Sequence, residues 1–196
     1  MVRRFDRFGE HGCIHYLSAH ALLNLETLGP ADFVTPKGLC TYAGIVSYAQ
    51  HAMALTIGPE VFRRMLFNLA LGNTDDHGRN LGFLKPLHQA WALAPAFDLT
   101  VVGDAEHALG LGRDGRTATL ANAFSDFPRF QLSLEQAQAI WNEVVSAVMQ
   151  VPSLMSEMEA APGDLQWVTR KLPLLAHPER FTLPSTSARP TRKQRL

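Results

Sequence analysis

The sequence predicts a mainly α-helical domain carrying one small β-hairpin, on three observations. Apolar residues recur at three-to-four spacing over residues 41–55, 59–71 and 133–148. One pair of short apolar runs, residues 81–84 and 91–94, flanks the turn-forming stretch 85–90 and reads as a hairpin. The 196 residues, 46% hydrophobic and 18% charged, hold apolar material for one core and too little length for two ordinary domains. Residues 1–183 are therefore expected to form one globular unit.

The elements follow in chain order. Residues 2–8 fit a short strand end, and residues 18–25 fit a helical turn or two stopped by Gly29 and Pro30. Residues 38–59 contain no Asp, Glu, Lys or Arg and approach the roughly 20 residues that span a bilayer. Gln50 and His51 fall near the middle, while Tyr42, Ile45, Val46, Ala49, Ala52 and Met53 keep one-sided helical spacing, so this stretch is read as a core helix. Pro59 suits a first helical turn, and Val61, Phe62, Met65, Leu66 and Leu69 mark the buried face of a helix running into Gly72. Ser133-Leu134-Glu135-Gln136 is a capping box, followed by Ala137, Ile140, Trp141, Val144, Val145 and Val148 on one face. Short helices are expected near residues 153–160 and 164–172, with Trp141, Met155, Met158 and Trp167 read as core. The glycine-rich run 110–115 reads as a turn.

Charge and cysteine content exclude several classes. Eighteen Lys and Arg balance eighteen Asp and Glu, so no global field points to nucleic acid, a membrane or an acidic substrate. Arg189, Arg192, Lys193 and Arg195 lie in the acid-free segment 184–196, which is rich in Pro, Ser and Thr. That segment is expected to be a disordered basic tail, touching nucleic acid only weakly because no aromatic residue is interleaved. Cys13 and Cys40 are too few for a disulfide-dense scaffold or a four-thiolate zinc site, and His11, His15 and His20 share no regular metal spacing with them. With a charged start lacking the apolar core of a secretory signal, this cysteine usage predicts a cytoplasmic protein with no membrane partner. No Gly-x-Ser-x-Gly elbow supports a serine hydrolase, and no repeat of 20 to 50 residues is present.

Candidate chemistry is concentrated in residues 72–100. Gly72-Asn73-Thr74-Asp75-Asp76-His77-Gly78-Arg79-Asn80 closes a buried helix with a polar loop. Asp75 and Asn80 stand five apart, as in the catalytic loop of protein kinases, where the Asp accepts the substrate hydroxyl proton and the Asn holds magnesium. With nine Asp and six Asn in the chain, chance gives that separation about 0.3 times, so the spacing alone is weak. Context adds to it: the hairpin after Asn80 leads to Ala96-Phe97-Asp98-Leu99, where a second carboxylate suits a hard cation. Two other readings stand beside it. Asp75, Asp76 and His77 could be ligands of a metal-dependent hydrolase, or the polar residues could be turn and cap residues only.

Three ordered motifs resemble the C-terminal lobe of HipA-like serine/threonine kinases, the toxins of bacterial toxin–antitoxin modules. They are Arg4-Phe5-Asp6-Arg7, the stretch from Phe67-Asn68 to Asn80, and Trp91-Ala92-Leu93-Ala94-Pro95-Ala96-Phe97-Asp98-Leu99, within a resemblance covering residues 3–150. The resemblance implies a protein-kinase-like C-lobe and ATP- and Mg2+-dependent phosphoryl transfer to a protein substrate. By it, Asp75 is the catalytic base and Asn80 and Asp98 are the magnesium ligands. Arg3, Phe5 and Asp6 belong to a hinge that meets adenine and ribose, and His77 and Arg79 lie close to the phosphates. It also implies a HipB-like DNA-binding antitoxin as partner. The family's glycine-rich phosphate cover and strand-borne lysine lie upstream of the hinge, and this sequence begins at the hinge. The expectation is a chain lacking the N-terminal lobe, as a fragment or with that lobe separately encoded. Alone it would be weak or inactive, or would serve as a non-catalytic antitoxin-binding lobe.

Overall fold

The computed structural model describes residues 4–9, 12–24 and 29–183. Arg3 and the basic segment 184–196 therefore lie outside the described residues, as do parts of the first predicted strand and helix.

Two small antiparallel sheets open the chain. Strand β1 (Arg7–Phe8) pairs with β2 (Gly12–Cys13), and β3 (His15–Ser18) leads into helix α1 (Ala19–Leu23). Ser18 caps α1 by accepting a hydrogen bond from the Ala21 amide. The predicted hairpin forms as β4 (Gly82–Lys85) and β5 (Ala92–Leu93), with Phe83 opposite Leu93. It is not isolated: β3 pairs along the other edge of β4, giving the order β3-β4-β5. A Cβ on Gly82 would stand 2.2 Å from the Tyr16 ring, so only glycine lets this β3 side chain cross β4.

The helices enclose the core. Helix α2 (Tyr42–Met53) starts at Thr41, whose Oγ1 accepts from the Gly44 amide at 2.8 Å, and buries Tyr42, Ile45, Val46 and Ala49. Helix α3 (Gly58–Leu71) is central and packs on α2 and on α5 (Leu134–Met149). Phe62 of α3 is fully buried against Phe124 and Phe130, at ring separations of 5.6 and 5.0 Å. Phe124 belongs to α4 (Leu120–Phe124) and Phe130 to the short 3-10 turn Phe127–Phe130. Each such side chain contributes about 1.5–3 kcal/mol on burial. The Ser133 capping box opens α5 as the sequence predicts, and Ala137, Ile140, Trp141, Val144 and Val148 face inward. Among the described residues, no helix is long and apolar enough to cross a membrane.

Beyond α5 come α6 (Val151–Glu157), α7 (Pro162–Lys171) and α8 (Pro173–Ala176). Leu172 and Leu174 are buried and Phe181 stacks on Trp141 at 5.9 Å, so this segment closes the end of the core. Met158 and Trp167 correct the sequence reading: they are 81% and 51% exposed. Helical spacing marks a face but not which side of a thin helical layer meets the core, and Leu165 and Val168 take the inner side of α7 instead. The 110–115 run is the expected turn, closed by the Gly115 amide donating to the Gly112 carbonyl at 3.2 Å.

Candidate active site

Helix α3 ends in a left-handed cap at Gly72 (φ 74°), whose amide donates to Asn68 and Leu69 carbonyls. A Cβ there would stand 2.8 Å from Pro173, so conformation and space both call for glycine where the polar loop begins.

One side of the loop faces inward. Asp76 is 3% exposed, and both its oxygens are engaged. Oδ2 accepts from the Tyr42 hydroxyl (2.5 Å) and from His107 Nδ1 (2.7 Å), and Oδ1 accepts from the Ala108 amide (2.9 Å). Burial first, then the Asp76 carboxylate, push the Tyr42 phenol well above its ordinary pKa and keep it a donor. Asn68 donates to the Tyr42 oxygen at 2.8 Å, Asn73 donates to Asn68 Oδ1 at 3.1 Å, and Thr100 donates to Asn73 Oδ1 at 3.2 Å. This buried chain ties loop, α2 and α3 together and corrects the hydrolase alternative. Asp76 is turned away to Tyr42 and His107, so Asp75, Asp76 and His77 do not converge on one ion. Among the described residues no group of three or more His, Cys, Asp or Glu is placed to hold a metal.

The other side faces out. The Asp75 side chain is 64% exposed, with His77 Nε2 3.9 Å from its carboxylate. Asn80 Nδ2 donates to the Asp75 carbonyl at 3.0 Å, which fixes the amide plane and leaves Oδ1 as a free-standing acceptor. Strand β3 and helix α1 brace this half of the loop. The His20 amide donates to Gly78 O (2.9 Å), the Ala19 amide to Leu81 O (2.8 Å) and the Tyr16 hydroxyl to Arg79 O (3.3 Å).

Asp98 arrives on the segment after β5 and adopts a left-handed conformation (φ 57°), exposed and with no hydrogen bond or ion pair to another described residue. Its segment is pinned to the loop. Val102 and Gly103 amides both donate to Gly72 O, at 3.0 and 2.9 Å, and the Asp104 amide donates to Thr74 Oγ1 at 3.2 Å. Asn80, Leu81, Ala96, Phe97 and Leu99 line one end of a cavity of about 420 Å³ whose other wall is α3 and α5, with Phe67 and Val144 among its residues; Asp75 and Asp98 stand outside its lining. Phe97 packs on Phe5 at 5.4 Å and Tyr16 at 6.4 Å, which brings the N-terminal motif to the same place. Asp6 is held by Arg4, which donates from Nε (2.9 Å) and Nη2 (2.6 Å) and keeps its carboxyl below the usual range. The donor set suits magnesium: one exposed carboxylate and one neutral amide oxygen leave the remaining positions to water and phosphate oxygens.

Sequence reasoning gives no site role to Tyr42, Asn68, Thr100 or His107: Tyr42 and His107 meet Asp76 across 34 and 31 residues, and Thr100 meets Asn73 across 27. His20 enters the sequence reading only beside the cysteines.

The helical lobe ends α3 in a polar loop, and the segment that carries Asp98 is hydrogen-bonded back to that loop at Gly72 and Thr74. The HipA-like C-terminal domain matches residues 1–151, and the chain belongs to that family. A Haemophilus influenzae (strain Rd) protein named "Putative kinase" is 27% identical over 135 residues, which is 64% of this chain and 39% of that protein. In structure the chain is similar to HipA of Shewanella oneidensis MR-1, solved with HipB and operator DNA. The TM-score is 0.66 at 21% identity, over 91% of this chain and 47% of that one. The chain thus spans less than half the length of either protein, and that likeness gives a kinase-like fold.

Proposed function

We propose that this chain is the metal- and phosphate-handling lobe of a HipA-type serine/threonine protein kinase acting with ATP and Mg2+ in the cytoplasm. The observation that carries the reading is the Asn80 amide clamped to the Asp75 carbonyl, with the Asp98 segment tied to the same loop at Gly72 and Thr74. Asp75, exposed on the outer side of the loop, accepts the proton of the attacking protein hydroxyl. Asn80 Oδ1 and Asp98 would hold magnesium, which would supply neutralisation of the phosphate charge. Arg79 and His77 face the transferred phosphate, and Phe5, packed on Phe97, offers an apolar edge to the base. Asp6, occupied by Arg4, meets ribose only by sharing that ion pair.

The protein substrate and a HipB-like antitoxin belong to the same proposal. HipA of Shewanella oneidensis, solved with HipB and DNA, supports the antitoxin. The 196 residues themselves hold no glycine-rich cover followed by a strand-borne lysine, so turnover by this chain alone is proposed to be slow. The test is radiolabelled phosphate transfer from ATP by the wild type and Asp75→Asn, alongside ATP binding with and without Mg2+. The reading expects magnesium-dependent ATP binding that survives Asp75→Asn and transfer that does not. ATP binding indifferent to magnesium would contradict it, and binding without any transfer would favour the non-catalytic, antitoxin-binding lobe.

A further inference from the structure

Arg79 has an unusual partner. Its Nη2 lies 3.3 Å from His20 Nε2, and no carboxylate of the described residues lies within ion-pair distance of it. By contrast, Arg4 is neutralised by Asp6, Arg63 by Glu60 and Glu143, and Arg64 by Glu60. A guanidinium only donates, so a hydrogen bond in this contact takes His20 Nε2 as the acceptor, with the ring proton on Nδ1. His20 itself is held, because its amide donates to Gly78 O and the Ala19 amide next to it donates to Leu81 O, on either side of Arg79 and Asn80. The backbone bonds set the height of the ring over the loop, and the ring sets the direction of the guanidinium.

We propose that His20 is a positioning residue that orients Arg79 towards phosphate oxygens while leaving its positive charge uncompensated. A carboxylate at position 20 would hold the guanidinium as firmly but cancel the charge that attracts an anion. A neutral acceptor uses one N–H and leaves the rest of the planar fork for bidentate contact with a phosphate. The proposal rests on the nucleotide reading above for the identity of the anion, and on geometry alone for the role of His20.

The test compares the full chain with His20→Gln, His20→Leu and His20→Glu, measuring affinity calorimetrically for MgATP, adenosine and inorganic tripolyphosphate. Gln keeps a neutral acceptor and is expected to bind MgATP within about twofold of wild type. Leu removes the acceptor and Glu cancels the charge, and each is expected to weaken MgATP about tenfold or more, the loss of a charge-assisted contact. Adenosine affinity should be unchanged in all three, which a merely structural role would not produce. If the chain binds tripolyphosphate with this rank order but not MgATP, the nucleotide reading fails and the role of His20 stands. If His20→Glu binds both anions as well as wild type, the role of His20 fails and the nucleotide reading stands. Binding of neither anion by wild type overturns both. The 15N spectrum of the imidazole gives a check independent of the variants' folding: the Nδ1–H tautomer is expected for His20, and the Nε2–H tautomer would overturn the proposal.

Discussion

The side-chain amide of Asn80 donates to the main-chain carbonyl of Asp75, five residues back along the loop, at 3.0 Å. One hydrogen bond thereby sets both the curvature that presents Asp75 to solvent and the direction of Asn80 Oδ1. Asn80→Ala should lose clamp and metal ligand together. Magnesium-dependent ATP affinity is expected to fall at least about tenfold while adenosine affinity stays the same, as read by calorimetry. Equal losses for both ligands would mean that the residue supports the fold and not the cation.

Asp76 should matter to stability more than its neighbour. Asp76→Ala strands the Tyr42 hydroxyl, His107 Nδ1 and the Ala108 amide in the interior, and is expected to cost about 3 kcal/mol or more in urea unfolding. Asp75→Ala, at an exposed position, should stay within about 0.5 kcal/mol of wild type. Similar values for the two would contradict the division of the loop into an inner and an outer side.

The start of the loop offers a separate check. Gly72→Ala places a Cβ 2.8 Å from Pro173 on a backbone with φ 74°, so a loss of more than about 1 kcal/mol is expected, together with weaker docking of α8. Faster amide exchange at Leu174 in the variant would report that loosening, and unchanged exchange would argue that the contact yields easily.

Stability should also fall at alkaline pH. Burial first, with Asp32 adding to it, pushes the Cys40 thiol up to about 11, and Tyr42 is raised well above its ordinary range. The unfolded chain releases these protons near their ordinary pKa values while the folded chain keeps them, so unfolding is favoured as pH rises from about 9 towards 11. Urea midpoints at pH 7.5, 9, 10 and 11 should decline over the last three. A flat profile would mean that neither group is sealed from water.

What could be read from the sequence was what neighbours in the chain decide. Helices α2, α3 and α5 show in the sequence because their apolar faces are periodic, with Pro59 and the Ser133 capping box marking where α3 and α5 begin. Strand β3 did not show, because His15-Tyr16-Leu17-Ser18 becomes a strand only by pairing with residues 82–85. The outer residues of the loop were legible as a spacing, Asp75 to Asn80. The inner network was not, since Asp76 meets Tyr42 and His107 at separations of 34 and 31 residues. Trp167 and Met158 failed for a related reason: what a helical face meets is decided by packing order, which periodicity does not encode.

The proposed function requires Asn80 and Asp98 to converge on one nucleotide-bound cation. Titrating Mn2+ with ATP into isotope-labelled protein tests it most directly, because the paramagnetic ion broadens amide signals steeply with proximity. Asn80 and Asp98 are expected to broaden first, with His77 close behind, while helix α7 keeps its intensity, and Asp98→Ala is expected to remove the effect. Broadening that spares Asp98, or that survives Asp98→Ala unchanged, would contradict it.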